Sequence, residues 1–139
     1  MSRRASIFDR LALKEHVAIN KHMKSLGALS NEARQLDEMR QKLDEMARDQ
    51  APGDGVQNAG SLRAAAQLNF QIRVQLETAS NRSEHLAREL RQLRQRIAQS
   101  DRRREKSTNK ADALRKKVRN DRDAKREDDE ASRWRGQPR

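Results

Sequence analysis

Apolar residues recur every three and four positions along the second half of the chain, from Leu62 to Val118. Twelve of the seventeen positions on this heptad seam are apolar, and neither Pro nor Gly falls between Ser61 and Arg135. Such a spacing, sustained over about eight heptads, is typical of one long coiled-coil helix. The seam comprises Leu62, Ala65, Asn69, Ile72, Leu76, Ala79, Ser83, Leu86, Leu90, Leu93, Ile97, Ser100, Arg104, Ser107, Ala111, Leu114 and Val118. A helix with so narrow an apolar stripe cannot fold alone, so the pattern predicts that this helix packs along another helix.

A weaker seam runs through the first third of the chain and predicts a helix over about residues 6–50. It comprises Phe8, Ala12, Glu15, Ile19, His22, Leu26, Leu29, Ala33, Leu36, Arg40, Leu43 and Ala47. Ser6 followed by Asp9 resembles a capping box, with Asp in place of the usual Glu. Gly27 and the Ser30-Asn31 pair lower helix propensity in the middle, so we expect a kink or brief break at residues 27–31.

A segment rich in Pro and Gly separates the two seams at residues 51–61. Pro52 would stop the first helix, the glycines would permit a reversal, and Ser61 suits the N-cap of the second helix. The predicted fold is all-α, a single domain in which two long helices form an antiparallel coiled-coil hairpin. The second helix is expected over about residues 62–131, followed by a frayed tail at residues 132–139 that contains Trp134.

The two predicted helices differ in length, so part of the second helix should lack a partner within the chain. A reversal centred near residue 56 places Phe8 close to Arg104 and leaves residues 105–133 unpaired. At about 1.5 Å per residue, this overhang is on the order of 40 Å long. It carries apolar seam residues among many Lys and Arg residues, which indicates a surface for another protein.

Positive charge is concentrated in the second helix. The formal net charge is +11, and residues 82–126 hold 17 basic and 7 acidic side chains, followed by an acidic block at residues 127–130. A stretch this basic favours an anionic partner. Nucleic acid is possible but not favoured, because no aromatic residues interleave with the cations and no zipper follows them.

The sequence indicates no catalytic, metal or cofactor site. The chain is 38% charged and 2% aromatic, and it contains three His and no Cys. The carboxylates alternate with Lys and Arg, as in the flanks of a coiled coil. We therefore expect a soluble, cytoplasmic protein that is not an enzyme and needs no cofactor, without a transmembrane segment.

In its layout, the chain resembles the FliJ family of flagellar and type III secretion export proteins. The resemblance rests on a small, charged, Cys-free chain with a turn near the middle, and on Phe70 early in the second helix. It also rests on residues 125–134, where Asp129-Glu130 matches the acidic pair of a Leu-Asp-Glu-like motif. Asp128 stands where the family pattern is apolar.

The resemblance implies a non-enzymatic stalk or adaptor, similar to the gamma subunit of rotary ATPases, that promotes assembly of an export ATPase ring and couples it to the export gate. It implies a cytoplasmic protein, peripheral to the inner membrane through its partners. Contacts with the ATPase are expected on the overhanging arm, at Arg104, Lys106, Lys110, Leu114, Lys117, Val118 and Arg122. Contacts with the gate or with export chaperones are expected at Phe70, Val74 and Leu76.

Two other functions are consistent with the same residues. One is a self-assembling structural coiled coil, for instance a parallel dimer through the second helix. The other is a basic, nucleic-acid-associated helical protein. The sequence accordingly allows either a monomeric hairpin or a weak homodimer.

Overall fold

The computed structural model describes residues 3–49 and 58–136, which form two α-helices. Helix α1 is Arg3–Asp49 and helix α2 is Ala59–Gly136, and no strand occurs within those ranges. Side chains far apart in sequence, such as Glu32 and Arg82, meet across the two helices. The predicted all-α helical hairpin with a longer second helix is therefore confirmed.

The two predicted seams are the faces that become buried, except at the ends of the α2 seam, where Leu62 and Val118 are exposed. On α2 every seam position from Ala65 to Leu114 is buried or half-buried, and on α1 the same holds from Phe8 to Ala47. Sequence periodicity thus predicts most of the inner face of each helix, because seam residues are the ones that a neighbouring helix can cover.

The hairpin contains two compact units, and one of them consists of the described residues of Met23–Gln95. Its core holds large aliphatic side chains, and Leu86 has an exposed fraction of 0%. The other buried apolar residues of this unit are Leu43, Ile72 and Ala79. At the edge of the core, the Arg82 guanidinium donates two hydrogen bonds to Glu32 Oε1, at 3.0 and 2.8 Å.

The second unit consists of the described residues of Met1–His22 and Arg96–Arg139. Its buried residues are small, namely Ala5, Ser100 and Ala111. Small seam residues bury little apolar area, so hydrophobic burial stabilises each turn of this unit less than it does around Leu86. Polar contacts between α1 and α2 are correspondingly more prominent here.

The start of α2 differs from the prediction. Asn58 is the N-cap, because its Oδ1 accepts a hydrogen bond of 2.7 Å from the Ser61 backbone N–H, and its carbonyl accepts one of 3.1 Å from Leu62. Ser61 therefore lies inside the helix, and its predicted role as N-cap is wrong. Asn and Ser are similarly good N-caps, so their residue types alone did not decide between them. The predicted stop at Pro52 and the glycine turn lie outside the described residues.

Helix α1 also differs from the prediction at two points. It begins at Arg3, so Ser6 lies within the helix and does not form the predicted capping box with Asp9. It continues without interruption through Gly27 and Asn31, so the predicted break is wrong. The propensity cost of a helical glycine is about 1 kcal/mol, which packing of the surrounding seam residues can outweigh.

Helix α2 continues past its predicted end. It includes residues 132–136, which were expected to belong to a frayed tail. Trp134 lies in this last part of the helix, and its side chain is 84% exposed.

Candidate docking surfaces on the second helix

The most basic part of α2 packs against the beginning of α1. Nη1 of Arg104 lies 3.4 Å from Nδ1 of His16, and the Lys110 ammonium lies 5.5 Å from the centre of the Phe8 ring. Residues 102–118 are therefore largely paired, and the prediction of an overhang that begins at about residue 105 is wrong.

The predicted start of the overhang is wrong because the register of α1 against α2 differs from the predicted one. Phe8 meets Lys110 rather than the predicted Arg104, and Asp9 forms an ion pair with Arg115. Register in a coiled coil is set by how seam residues interlock and not by the midpoint of the connection. Ala5 is also buried, so the α1 seam begins at Ala5, three residues before Phe8.

Three of the predicted ATPase-binding residues are engaged within the hairpin. Arg104 is half-buried and also donates a hydrogen bond of 2.7 Å to Asp101. Leu114 is half-buried on the seam, and Lys110 lies against α1. Arg104 and Leu114 therefore do not form the free surface that the sequence predicted for them, whereas Lys110 remains exposed while its ammonium lies over the Phe8 ring.

The other four predicted residues are accessible. Lys106, Lys117 and Arg122 are exposed, and Val118 is 37% exposed at the end of the apolar seam. The structure thus separates the seven predicted residues into an inner group and an outer group.

A shallow groove lies beside the beginning of α1. It is lined by Ala5, Ser6, Asp9, Arg115, Val118, Arg119 and Arg122. The Arg115 guanidinium is shared between Asp9 and Asp112, the latter at 3.3 Å. Arg119 and Arg122 have no ion-pair partner among the described residues, so the groove offers two available cations next to a small apolar floor.

The free end of α2 consists of residues 119–136, all of which are exposed. At about 1.5 Å per residue it is about 27 Å long, shorter than the predicted overhang. It holds six basic and six acidic residues, whereas residues 102–118 hold eight basic and two acidic ones. The prediction of a basic overhang is therefore wrong, because the positive excess lies in the paired part and the free end is close to neutral.

The predicted gate-binding residues lie near the start of α2. Phe70 is 68% exposed, and Val74, one turn further along, is also exposed. Ala66 precedes Phe70 by one turn on the same side and is exposed as well. Leu76 is half-buried on the seam towards α1, so it does not belong to this outward apolar strip.

No family model, curated protein or solved structure matches this chain. Within residues 3–49 and 58–136, no group of His, Cys, Asp or Glu side chains could hold a metal ion. Neither helix, as far as it is described, contains a stretch apolar enough to cross a membrane. The accessible surfaces of the two helices are therefore the structural features that bear on function.

One surface was missed by the sequence analysis. Ile7, Leu13 and Val17 are aliphatic, lie off the α1 seam and are each more than half exposed. The available signal was their position between seam residues, where a coiled-coil helix ordinarily places polar side chains.

Proposed function

We propose that this protein is a non-enzymatic coiled-coil stalk or adaptor of a flagellar or type III protein-export ATPase complex. It promotes assembly of the ATPase ring and couples the ring to the export gate. The proposal places the protein in the cytoplasm, peripheral to the inner membrane through these partners.

The observation that carries the proposal is the difference in length between the two helices. Helix α2 continues beyond the beginning of α1 as residues 119–136, with exposed charges and the exposed Asp129-Glu130 pair. A single helix that projects from a coiled coil can enter an opening too narrow for both helices. This arrangement suits a stalk in a ring, as the FliJ-like layout implies.

The accessible side chains define how such a stalk would dock. Lys117 and Arg122 lie where the paired part of α2 passes into the free end, and Arg119 lies between them. Their charges favour an acidic surface on the partner. At the other end of α2, Phe70 and Val74 form the apolar strip that would contact the gate or an export chaperone.

The proposal is tested by mixing the purified protein with the cognate export ATPase. We expect faster ATP hydrolysis and more ring assembly, the latter measured by light scattering. The double variant Lys117→Glu/Arg122→Glu should lose most of this effect, since both side chains are exposed and their reversal leaves the seam intact. No effect of the unaltered protein at micromolar concentration and low salt would contradict the proposal.

A matched control is available on the same helix. Arg73 and Arg88 are exposed and have no ion-pair partner among the described residues. The variant Arg73→Glu/Arg88→Glu makes the same change of net charge at a different place. It should stimulate the ATPase as well as the unaltered protein does.

A further inference from the structure

The first part of α1 has an outer face that combines cations with exposed aliphatic side chains. Ile7, Leu13 and Val17 have exposed fractions of 54%, 62% and 59%. Arg3, Arg10 and Lys14 lie among them at helical spacing and are also exposed. These six residues, which we call the outer face, lie between the seam positions that pack on α2, so they point away from it.

The outer face contains no negative charge. The only acidic residues before Glu32 are Asp9 and Glu15. Asp9 pairs with Arg115, and Glu15, which is half-buried, lies 3.9 Å from Arg103. Both carboxylates are therefore directed to α2, and the cations of the outer face are left without acidic neighbours on their own side.

The second part of α1 shows that this composition is not a general property of the helix. The outward row that contains Arg3, Ile7 and Arg10 continues, at the same helical spacing, through residues 31–49. There it reads Asn31, Gln35, Glu38, Lys42, Glu45 and Asp49. This later stretch mixes both signs of charge and contains no aliphatic side chain, as expected for a surface that faces only water.

We propose that the outer face of α1 binds directly to an anionic lipid surface. Its cations would lie against lipid phosphates, where each contributes electrostatic attraction. Leu13 and Val17 would enter the boundary between head groups and acyl chains, while the stem of Lys14 lies along it. Because the six residues occupy the outermost side of α1, a flat membrane can contact all of them without displacing α2.

The aliphatic residues favour lipid over nucleic acid as the occupant. Nucleic acid is held mainly through its phosphates by cations and polar groups. Such binding would leave Ile7, Leu13 and Val17 as exposed as before. A lipid surface can accommodate both the cations and the aliphatic side chains of the outer face, since it offers phosphates and hydrocarbon at adjacent depths. This inference goes beyond the proposed function, because it needs neither the ATPase nor the gate.

The test is cosedimentation of the full-length protein with phosphatidylcholine vesicles, with and without phosphatidylglycerol. We expect binding only when the anionic lipid is present, weakening as salt is raised. Arg3→Gln/Arg10→Gln/Lys14→Gln should lower the partition coefficient about 100-fold, since each cation near such a surface contributes about fivefold. Leu13→Gln/Val17→Gln should lower it about tenfold without any change of charge.

A charge-matched control distinguishes the outer face from the net positive charge of the chain. Arg73→Gln/Arg88→Gln/Arg91→Gln removes three exposed cations elsewhere and should lower the partition coefficient less than about threefold. Circular dichroism should show unchanged helix content in all variants, since every altered side chain is exposed.

Three results would overturn the proposal. The first is absence of binding to phosphatidylglycerol vesicles at low salt by the folded protein. The second is an equal loss in the two triple variants, which would indicate attraction by net charge alone. The third is a normal partition coefficient for Leu13→Gln/Val17→Gln together with stronger binding to duplex DNA, which would assign the face to nucleic acid.

Discussion

Two consecutive stretches of α2 are both highly charged but have different surroundings. Residues 102–118 carry a strong positive excess and pack along α1, whereas residues 119–136 are neutral in sum and wholly exposed. The difference lies on the seam, which still carries the apolar residues Ala111, Leu114 and Val118 in the first stretch and then continues with Asp121 and Lys125. Charge content therefore does not decide whether a helix is paired. Seam residues that a neighbour can cover decide it.

The difference between the paired residues 102–118 and the exposed residues 119–136 is tested most sharply by placing the same substitution in both stretches. Ala111 has an exposed fraction of 0%, while Ala124 is exposed. Ala111→Asp puts an unpaired carboxylate into the seam and should lower the free energy of unfolding by about 3–5 kcal/mol. Ala124→Asp should change it by less than about 0.5 kcal/mol.

Urea unfolding followed by circular dichroism measures both free energies. Similar values for the two variants would mean that residues 102–118 are not held against α1. A large loss for Ala124→Asp would instead mean that the free end is covered by a second copy of the chain, so unfolding should be repeated at several protein concentrations.

A second prediction compares the inner and outer sides of α2 within the unit Met23–Gln95. Leu86 is fully buried, whereas Val74 is an exposed residue of the same helix. Leu86→Ala should lower the free energy of unfolding by about 3 kcal/mol, because it removes packed atoms and leaves a cavity. Val74→Ala should cost less than about 1 kcal/mol. Equal effects in urea unfolding would show that Leu86 lies outside a packed core.

The inner faces could be predicted from sequence because a heptad seam is a local pattern. Each position from Ala65 to Leu114 follows from its spacing to the one before, and each is covered as predicted. Register is a different kind of quantity. The displacement that brings Phe8 to Lys110 depends on how two whole seams interlock, and long seams of small residues differ little in energy between neighbouring registers.

The candidate surfaces were predicted less well than the fold because exposure depends on that register. Once Ala111 and Leu114 are paired, the predicted arm loses its apolar stripe, and Arg104 and Lys110 become contacts within the hairpin. The outer face of α1 was missed for another reason. A search for seam residues ignores the positions between them, which is where Leu13 lies.

A third prediction uses the two described helical glycines at which an added Cβ would meet nothing within 4 Å, Gly27 and Gly136. Gly27 lies in the middle of α1, so Gly27→Ala should raise the free energy of unfolding by about 0.5–1 kcal/mol. Gly136 ends α2 in the free stretch, and Gly136→Ala should have almost no effect. A lower melting temperature for Gly27→Ala would indicate that α1 has to bend at this residue.

The smallest expected effect concerns the ion pair that lies where the paired stretch ends. The Asp9 and Arg115 side chains are each about half exposed, and Arg115 also bonds to Asp112. A double-mutant cycle with Asp9→Asn and Arg115→Gln should therefore give a coupling free energy of only about 0.5 kcal/mol, reduced by added salt.

The matched cycle in the free end, with Arg119→Gln and Asp123→Asn, should give no more than about 0.3 kcal/mol, since these side chains are neighbours on a single exposed helix. A coupling above about 2 kcal/mol for Asp9 and Arg115 would mean that the pair is shielded from water. The boundary between the paired and free stretches would then lie further along α2.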